Sequence, residues 1–334
     1  MSEPAGACSR SIAEAYAQCA EVVRRRARNF YYGLRLTPEP KRSAIYSVYA
    51  WMRRADDEAD AAGDPAHKRE RLAEFRACTE RMIAGEDLGE AEGEFVWVAF
   101  RETVRRHGID PRDLRDMLDG LDADLRHELR AAAAPGGKPV LICETREELR
   151  QYCYRVASTV GLVCVQIWGL RDESERAAAR ELAIRRGTAF QLTNILRDFA
   201  QDYDERRVYL PAADLAAAGV SADDLRRWSD DERCRPVAAS IAAWARGEYE
   251  ASAPLDLMID PACFAAIRTM TRIYSGLLSV IEREPSRIAG ARRIRLQSAH
   301  KAGIALRACA RAWVNAHVPA TSPLYAVLMT ASRR

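Results

Sequence analysis

The sequence predicts an all-α protein, and three features support that prediction. Apolar residues recur at three- and four-residue spacing along most of the chain, as on one face of an amphipathic helix. The alternation that is typical of strands is nearly absent. Of the 334 residues 48% are hydrophobic but only 7% aromatic, and alanine dominates, which favours closely packed helices. Because periodic segments run from end to end, we expect a single domain over residues 1–334, with a core from about 10 to 318.

The first half of the chain is expected to form five helices. In the second of them Ile45, Val48, Tyr49 and Met52 share one face. The proline-containing segment 37–40 can begin this helix, since proline is tolerated in a first turn. The predicted helices cover about 12–23, 44–59, 68–84, 93–107 and 111–130.

The second half begins with a helix-start signal. Thr145 followed by Glu148 is typical of a capping box, in which each residue binds the other's backbone N–H. The pair predicts a long helix that continues through Gln166. The other predicted helices cover about 173–203, 235–252, 260–283 and 297–317, with a short one after Pro323.

Composition and charge exclude several classes of protein. The formal net charge is only +3 and no basic block occurs, so we expect no nucleic-acid partner. The nine cysteines lack a CxxC pair and are expected to be reduced. The N-terminus has no apolar signal region, and the most apolar stretch, 160–170, is shorter than the roughly 20 residues that cross a bilayer. We expect a cytoplasmic protein with at most peripheral membrane contact, although no amphipathic anchor stands out.

Two sets of carboxylates lie on separate predicted helices. The first is the sequence RRADDEAD over 53–60, near the end of an apolar helix. Asp56 and Asp60 are four residues apart and therefore lie on one helix face. Two like charges there destabilise a helix slightly unless a cation bridges them. Taken alone, the pair also fits a solvated helix face, which is the commoner case.

The second set forms a polar stripe on an otherwise apolar helix. Gln191, Asn194, Asp198 and Asp202 follow one another at three- and four-residue steps. Magnesium prefers oxygen ligands and typically takes one or two carboxylates together with substrate phosphates. Two aspartate pairs on facing helices therefore predict a site that binds Mg²⁺ and diphosphate. The alternative for this second set is a buried polar network or another solvated face.

Several blocks, in this order, resemble the squalene/phytoene synthase family over about residues 25 to 300. They are Asn29-Phe30-Tyr31-Tyr32, Ala44 to Ala50, Arg53 with Asp56 to Asp60, Gly120 to Leu125, Tyr152 to Gly161, Gln191 to Asp202, and Arg207 to Pro211. The resemblance implies the isoprenoid synthase helical fold, with a central cavity that binds two prenyl diphosphates. One aspartate pair would be weak evidence, but the ordered set of blocks is specific.

The resemblance also implies roles for individual residues. Mg²⁺, with Mn²⁺ as an alternative, would be held by Asp56, Asp60, Asn194, Asp198 and Asp202. The diphosphate oxygens would be bound by Arg53, Gln191, Arg197 and Arg207, and Tyr152 and Tyr209 would lie beside the leaving group. Further substrate contacts are expected from Asn29, Phe30, Tyr274 and Arg293, the last two in a region that aligns loosely. Phe30 and neighbouring tyrosines would face the allylic cation with their π-systems.

The expected reaction joins two farnesyl diphosphates into presqualene diphosphate. Phytoene synthase, which uses two geranylgeranyl diphosphates, is the first alternative, and a non-catalytic binding or assembly protein of the same fold is the second. No glycine fingerprint of a nicotinamide fold occurs, which leaves the use of NADPH open. The five histidines are isolated and show no zinc spacing, which argues against a metal-dependent hydrolase.

Small residues mark one further segment. Ala157, Gly161 and Cys164 could leave a tunnel for the prenyl tails within the helix over 156–164. Small residues equally permit two helices to pack closely, so both interpretations stay open at this stage.

Overall fold

The computed structural model describes residues 11–59, 65–228 and 231–317, without the side chains of 28–30, 65 and 315–317. Within these ranges the chain forms fifteen α-helices and one pair of very short strands, which confirms the all-α prediction. The helices are α1 (Ile12–Arg26), α2 (Arg28–Leu34), α3 (Lys41–Ala59), α4 (Pro65–Ala84), α5 (Phe95–His107), α6 (Pro111–Ala133), α7 (Arg146–Cys153), α8 (Thr159–Trp168), α9 (Arg176–Asp204), α10 (Ala212–Ala217), α11 (Ala222–Arg226), α12 (Cys234–Ala251), α13 (Leu255–Met258), α14 (Phe264–Arg283) and α15 (Ser298–His317).

The long helices lie where apolar periodicity predicts them, and the short ones were missed. Helices α2, α10, α11 and α13 have at most seven residues, too few for a period of 3.6 to be recognised. The helix expected after Pro323 lies outside the described residues. In the ranges that the structure describes, no helix combines the length and apolarity needed to cross a bilayer.

The helix predicted from Thr145 through Gln166 is interrupted. Its start is confirmed, because the Thr145 hydroxyl accepts the Glu148 backbone N–H at 3.2 Å. The reciprocal half of the capping box is wrong, since the Glu148 carboxylate accepts the N–H of Glu144 at 2.7 Å instead. A π-helical turn over Tyr154–Ser158 then separates α7 from α8. Such turns place an extra residue in the helix and are common at functional sites.

One parallel strand pair fixes the chain that follows α9. β1 (Val140–Leu141) pairs with β2 (Arg207–Val208) in the register Val140 to Arg207. Arg206 adopts a φ of 66° and turns the chain from α9 into β2. The pairing therefore holds Arg207 against α6, and Tyr209, two residues further along, lies beside His127 of the same helix.

A central cavity lies among α3, α8, α9 and α14, as the fold class predicts. The face of α3 predicted from the sequence lines it, through Ile45, Val48, Tyr49 and Met52. From the opposite side Phe190 reaches the cavity and also packs against both clusters of buried side chains that form the core. The lining is therefore mostly apolar, with polar groups contributed chiefly by α9.

The small residues of the π-turn and α8 line the cavity. Ala157, Gly161 and Cys164 all belong to its wall, which supports the tunnel interpretation. A Cβ added to Gly161 would approach the Ala183 carbonyl oxygen only to 3.5 Å, an ordinary contact. The closest helix approach is instead at Gly187, where an added Cβ would lie 2.3 Å from the Ser158 Cα.

Replacing Gly187 by alanine is therefore expected to destabilise the protein by about 1–3 kcal/mol, because two backbones must separate. Gly247 of α12 is a matched control, since no atom lies within 4 Å of its added Cβ. Alanine at position 247 should stabilise the helix by about 0.5–1 kcal/mol. Urea unfolding of the two variants measures both effects. Equal stability of Gly187→Ala and wild type would show that the π-turn and α9 can move apart freely.

Candidate active site

The polar stripe of α9 begins inside the cavity and continues beyond it. Gln191 and Asn194 line the cavity wall, and Asp198 and Asp202 follow on the next two turns. The Asn194 amide donates to the Gln191 side-chain oxygen at 3.2 Å. Asn194 Oδ1 is buried and accepts no hydrogen bond from the described part of the chain. A buried oxygen without a partner is costly, which marks this position as prepared for a ligand.

Asp198 is held between two arginines. Arg197 contacts it at 2.8 Å through Nε and 2.5 Å through Nη2, and Arg293 contacts it at 2.5 Å through both nitrogens. Burial acts to raise the pKa of Asp198, but the hydrogen bonds from both arginines outweigh it and lower the pKa. Of the C-terminal arginine cluster, Arg293 is thus in the site, whereas Arg292 and Arg295 are exposed.

Asp202 lies one turn further along α9, and the negative charge of its carboxylate is less well compensated by nearby arginines. The pKa of Asp202 is raised to about 7, chiefly by burial and then by the neighbouring Asp198, while Arg207 and Arg293 act in the opposite direction. A bound cation would favour the charged form of both carboxylates. The oxygen donors of Asn194, Asp198 and Asp202 therefore suit a hard cation such as Mg²⁺. No group of three or more His, Cys, Asp or Glu side chains arranged for a metal occurs in the described ranges.

The acidic end of α3 lies next to the same cavity. Asp56 follows the cavity-lining Met52 by one helical turn, just as Asp198 follows Asn194 on α9. The Asp56 carboxylate is 3.7 Å from Arg53 Nη1, and Arg53 also forms a close ion pair with Asp57. Asp60, the predicted partner of Asp56, and the side chains of Asn29 and Phe30 lie outside the described residues.

Two tyrosines predicted to lie beside the leaving group are stacked on each other. The rings of Tyr152 and Tyr209 are 4.8 Å apart with an interplanar angle of 22°. The Tyr152 hydroxyl donates to Asp124 Oδ1 at 2.9 Å, and burial raises its pKa well above the usual range. Beside them Arg207 Nε is buried without a hydrogen-bond partner in the described chain. The pair thus offers neutral phenol groups next to a guanidinium that pairs with Glu205 through Nη2 but leaves its Nε without a partner in the described chain.

Tyr274 of α14 packs behind the cavity-lining residue Phe190. It is buried, its ring lies 4.8 Å from that of Phe190, and it shares a side-chain hydrogen bond with Arg197. The structure therefore brings Arg197, Tyr274 and Arg293 together around Asp198, although the sequence aligned the last two only loosely.

A comparison with known protein families decides the identity of this arrangement. The sequence profile described as squalene/phytoene synthase matches residues 23–300. The chain belongs to the squalene/phytoene synthase family. It is therefore a prenyltransferase of the class that condenses prenyl diphosphates head to head, and the family uses a divalent metal to bind them.

Individual members of the squalene/phytoene synthase family resemble the chain over most of its length. The 15-cis-phytoene synthase of Synechocystis sp. is 32% identical over 280 residues, which cover 81% of this chain and 78% of that protein. The 15-cis-phytoene synthase of Synechococcus elongatus is 34% identical over 233 residues, with coverages of 67% and 70%.

Solved structures show the same fold. A dehydrosqualene synthase in complex with ligand superposes with a TM-score of 0.75 at 24% identity and covers 92% of this chain and 98% of its own. Squalene synthase HpnC from Alicyclobacillus acidocaldarius gives a TM-score of 0.69 at 23% identity, with coverages of 82% and 95%. These likenesses confirm the predicted isoprenoid synthase helical fold.

Two residues near the stacked tyrosines were not predicted from the sequence to belong to the site. Asp124 accepts the Tyr152 hydroxyl, and His127 lies one turn later on α6 with its ring 5.9 Å from Tyr152 and 6.3 Å from Tyr209. Burial lowers the pKa of His127 to about 4, so its imidazole is neutral at pH 7. The three-residue spacing places both on one helix face, but only the fold reveals what that face contacts.

Asp124 is expected to make stability depend on pH. Burial raises its pKa from 3.8 to about 6, so its stabilising contribution is complete below 3.8 and is lost as the pH rises through about 6. Relative to Asp124→Asn, wild type should therefore gain about 1–3 kcal/mol of unfolding free energy between pH 8 and pH 5. Urea unfolding of both proteins across this range measures the difference. A constant difference would contradict the assignment of Asp124 as a buried acid.

Proposed function

We propose that this protein joins two geranylgeranyl diphosphates head to head, as a phytoene synthase. The proposal is supported by the relatives that are at least 32% identical, which bear the name 15-cis-phytoene synthase. The sequence alone favoured two farnesyl diphosphates and presqualene diphosphate, and that reaction becomes the alternative. The solved squalene-type structures are below 25% identical and support the fold only.

One observation carries the binding of prenyl diphosphates. An apolar cavity ends at the polar stripe of α9, where Gln191 and Asn194 enter its lining. Prenyl tails are apolar and diphosphates are anionic, so tails would occupy the cavity and diphosphates would lie at its polar end. The buried Asn194 Oδ1 has no hydrogen-bond partner in the described part of the chain, which supports the binding of a ligand at this end.

The oxygen donors at this end suit a divalent cation. We assign its binding to Asp56, Asp60, Asn194, Asp198 and Asp202, with Mg²⁺ as the expected ion and Mn²⁺ as the alternative. Bound there, the cation would supply neutralisation of the diphosphate charge.

The protein's own side chains would stabilise the departing diphosphate. Arg197, Arg207 and Arg293 lie around the stripe, and arginine binds phosphate oxygens through its planar fork. Arg53 and Gln191 are assigned to the same diphosphates. Positive groups fixed in a mostly dry site stabilise charge as it develops, without reorganisation of solvent.

The rest of the site would protect the allylic cation. Tyr152, Tyr209 and Tyr274 are buried, and their π-faces can stabilise a cation while they exclude water. Phe30 and Asn29 are assigned to the same task and to substrate contact from α2. The double bond of the second chain then attacks the cation, and the released diphosphate takes the proton lost on closure of the cyclopropane. A second loss of diphosphate and rearrangement would give a linear cation, which becomes neutral phytoene when it loses a proton to the second released diphosphate.

The test is direct. Purified protein is incubated with Mg²⁺ and either geranylgeranyl or farnesyl diphosphate, with and without NADPH, and the products are identified by mass spectrometry. A C40 phytoene supports the proposal. A C30 cyclopropyl diphosphate, or squalene when NADPH is present, would assign the presqualene route instead. Folded protein that is silent with both substrates would favour a non-catalytic binding protein of this fold.

A further inference from the structure

An arginine-lined groove lies between α12, α14 and α15, outside the site described above. Helix α14 separates the two, because Ile267 and Met270 line the central cavity whereas Arg268 and Arg272 line the groove. Among the described residues, its lining contains five arginines, one histidine and no carboxylate: Arg246, Arg268, Arg272, Arg307, Arg311 and His300. A concave site of this composition is suited to anions.

Two helices supply the facing walls of the groove. On α14 the lining positions are 268, 272, 275, 276 and 279, and on α15 they are 300, 304, 307, 308 and 311. Each set repeats at three- and four-residue steps and therefore forms one stripe along one face of its helix. Burial, and after it the charges of Arg268 and Arg311, lower the pKa of Arg272, so guanidinium groups from both walls lie near one another. An anion between them can be contacted from both helices at once.

The positive charge of the groove is only partly compensated. Arg246 and Arg268 each pair with a carboxylate outside the lining, at 2.6 Å and 3.2 Å. Arg272 and Arg307 form no ion pair within the described ranges. The formal net charge of the whole chain is only +3, so the groove is a local concentration of positive charge. A bound anion would relieve the repulsion among these arginines.

The size and lining of the groove favour a small anion. Its volume is about 260 Å³, below the roughly 300–1,000 Å³ of pockets for drug-sized ligands. None of the described lining residues is Phe, Tyr or Trp, so no such ring is available on which a nucleotide base could stack. Leu306 and Trp313, the exposed large apolar side chains of α15, lie on the side of that helix opposite the groove and cannot anchor a bilayer against it.

We propose that this groove binds a small anion of the phosphate class, with inorganic diphosphate as the best match. Arginine binds phosphate oxygens through its planar fork. The oxygens of diphosphate point in several directions, so Arg272 of α14 and Arg307 of α15 can bind the same ion. Because the described lining offers no carboxylate, binding there requires no metal ion, in contrast to the proposed site at Asp198 and Asp202. The groove goes beyond the proposed function, and its test needs no turnover, so failure of one leaves the other intact.

The first test is calorimetric titration of the full-length protein with inorganic diphosphate in the presence of EDTA, which removes divalent cations. We expect saturable binding that added salt weakens. Arg272→Gln/Arg307→Gln should bind at least about tenfold more weakly, since a hydrogen bond to a charged group contributes a factor of about ten or more. Arg105→Gln/Arg115→Gln removes the same charge from exposed ion pairs on α5 and α6, which do not line the groove, and should bind like wild type.

The second test distinguishes a free anion from other sources of negative charge. Arg272 and Arg307 lie at the surface, so their double variant should stay folded, which circular dichroism checks. Absence of diphosphate binding in EDTA, equal affinity of the two double variants, or equally tight binding of succinate would each overturn the proposal. Sedimentation with phosphatidylglycerol vesicles tests a lipid headgroup, and binding of vesicles without binding of free diphosphate would overturn it too.

Discussion

Asp198→Ala is expected to lower kcat/KM by at least about a thousandfold while the protein remains helical. Asp198 is the residue at which the two halves of the site meet, because Arg197 and Arg293 both bind it and Asn194 and Asp202 flank it on the same stripe. Its removal would take away a proposed cation ligand and would also leave two arginines without their carboxylate. The substrate diphosphate would then compete with misplaced guanidinium groups.

Asp198→Ala is also expected to lower the stability of the protein. A second variant is therefore needed to separate the loss of stability from the fall in kcat/KM. Arg197 is only 8% exposed, so breaking its ion pair with Asp198 costs about 3–5 kcal/mol. Asp56 is 39% exposed and its contact with Arg53 is 3.7 Å long, so Asp56→Ala should lose turnover with little change in stability. Steady-state kinetics at saturating Mg²⁺ and circular dichroism separate the two effects.

The control for both variants is Asp204→Asn, at the end of the same helix. Asp204 is 59% exposed and, among the residues that the structure describes, pairs only with Arg226, so its replacement should leave kcat/KM unchanged. Full activity of either Asp56→Ala or Asp198→Ala would contradict the assignment of these carboxylates to the cation and diphosphate.

The sequence predicted the residues of this site better than it predicted their partners. The stripe from Gln191 to Asp202 could be recognised because a helix repeats every 3.6 residues and because the stripe is polar on an apolar helix. Arg293 reaches Asp198 from a segment without regular structure, 95 residues further along the chain, and no local period encodes such a contact. Family resemblance brought it into consideration, and the fold selected it from the arginine cluster.

Asp124 and His127 show a different limit. Both belong to the amphipathic helix α6, and on a helical wheel each is one polar residue among many. Their importance arises when α7 and β2 bring the two stacked tyrosines against that face. The π-turn over Tyr154–Ser158 could not be predicted either, because one extra residue in a turn changes apolar spacing too little to be noticed.

Ala157→Leu is expected to weaken binding of a C20 substrate more than that of a C15 substrate. Ala157 lies in the π-turn and lines the apolar cavity, so added carbon atoms there occupy space that a prenyl tail would fill. A longer tail needs more of the cavity, and an apolar pocket discriminates by about 10- to 200-fold for a change of one methylene. We therefore expect the affinity ratio between geranylgeranyl and farnesyl groups to fall at least about tenfold.

Dissociation constants of the two prenyl thiodiphosphates, which bind without turnover, give this ratio for Ala157→Leu whichever substrate the enzyme converts. Ala243→Leu, at an exposed position of α12, adds the same carbon atoms away from the cavity and should leave the ratio as it is in wild type. An equal loss of both affinities in Ala157→Leu would mean that the substituted residue disturbs the diphosphate end through the π-turn. Only a larger loss of affinity for the longer tail shows that this part of the cavity wall discriminates between prenyl chains of different length.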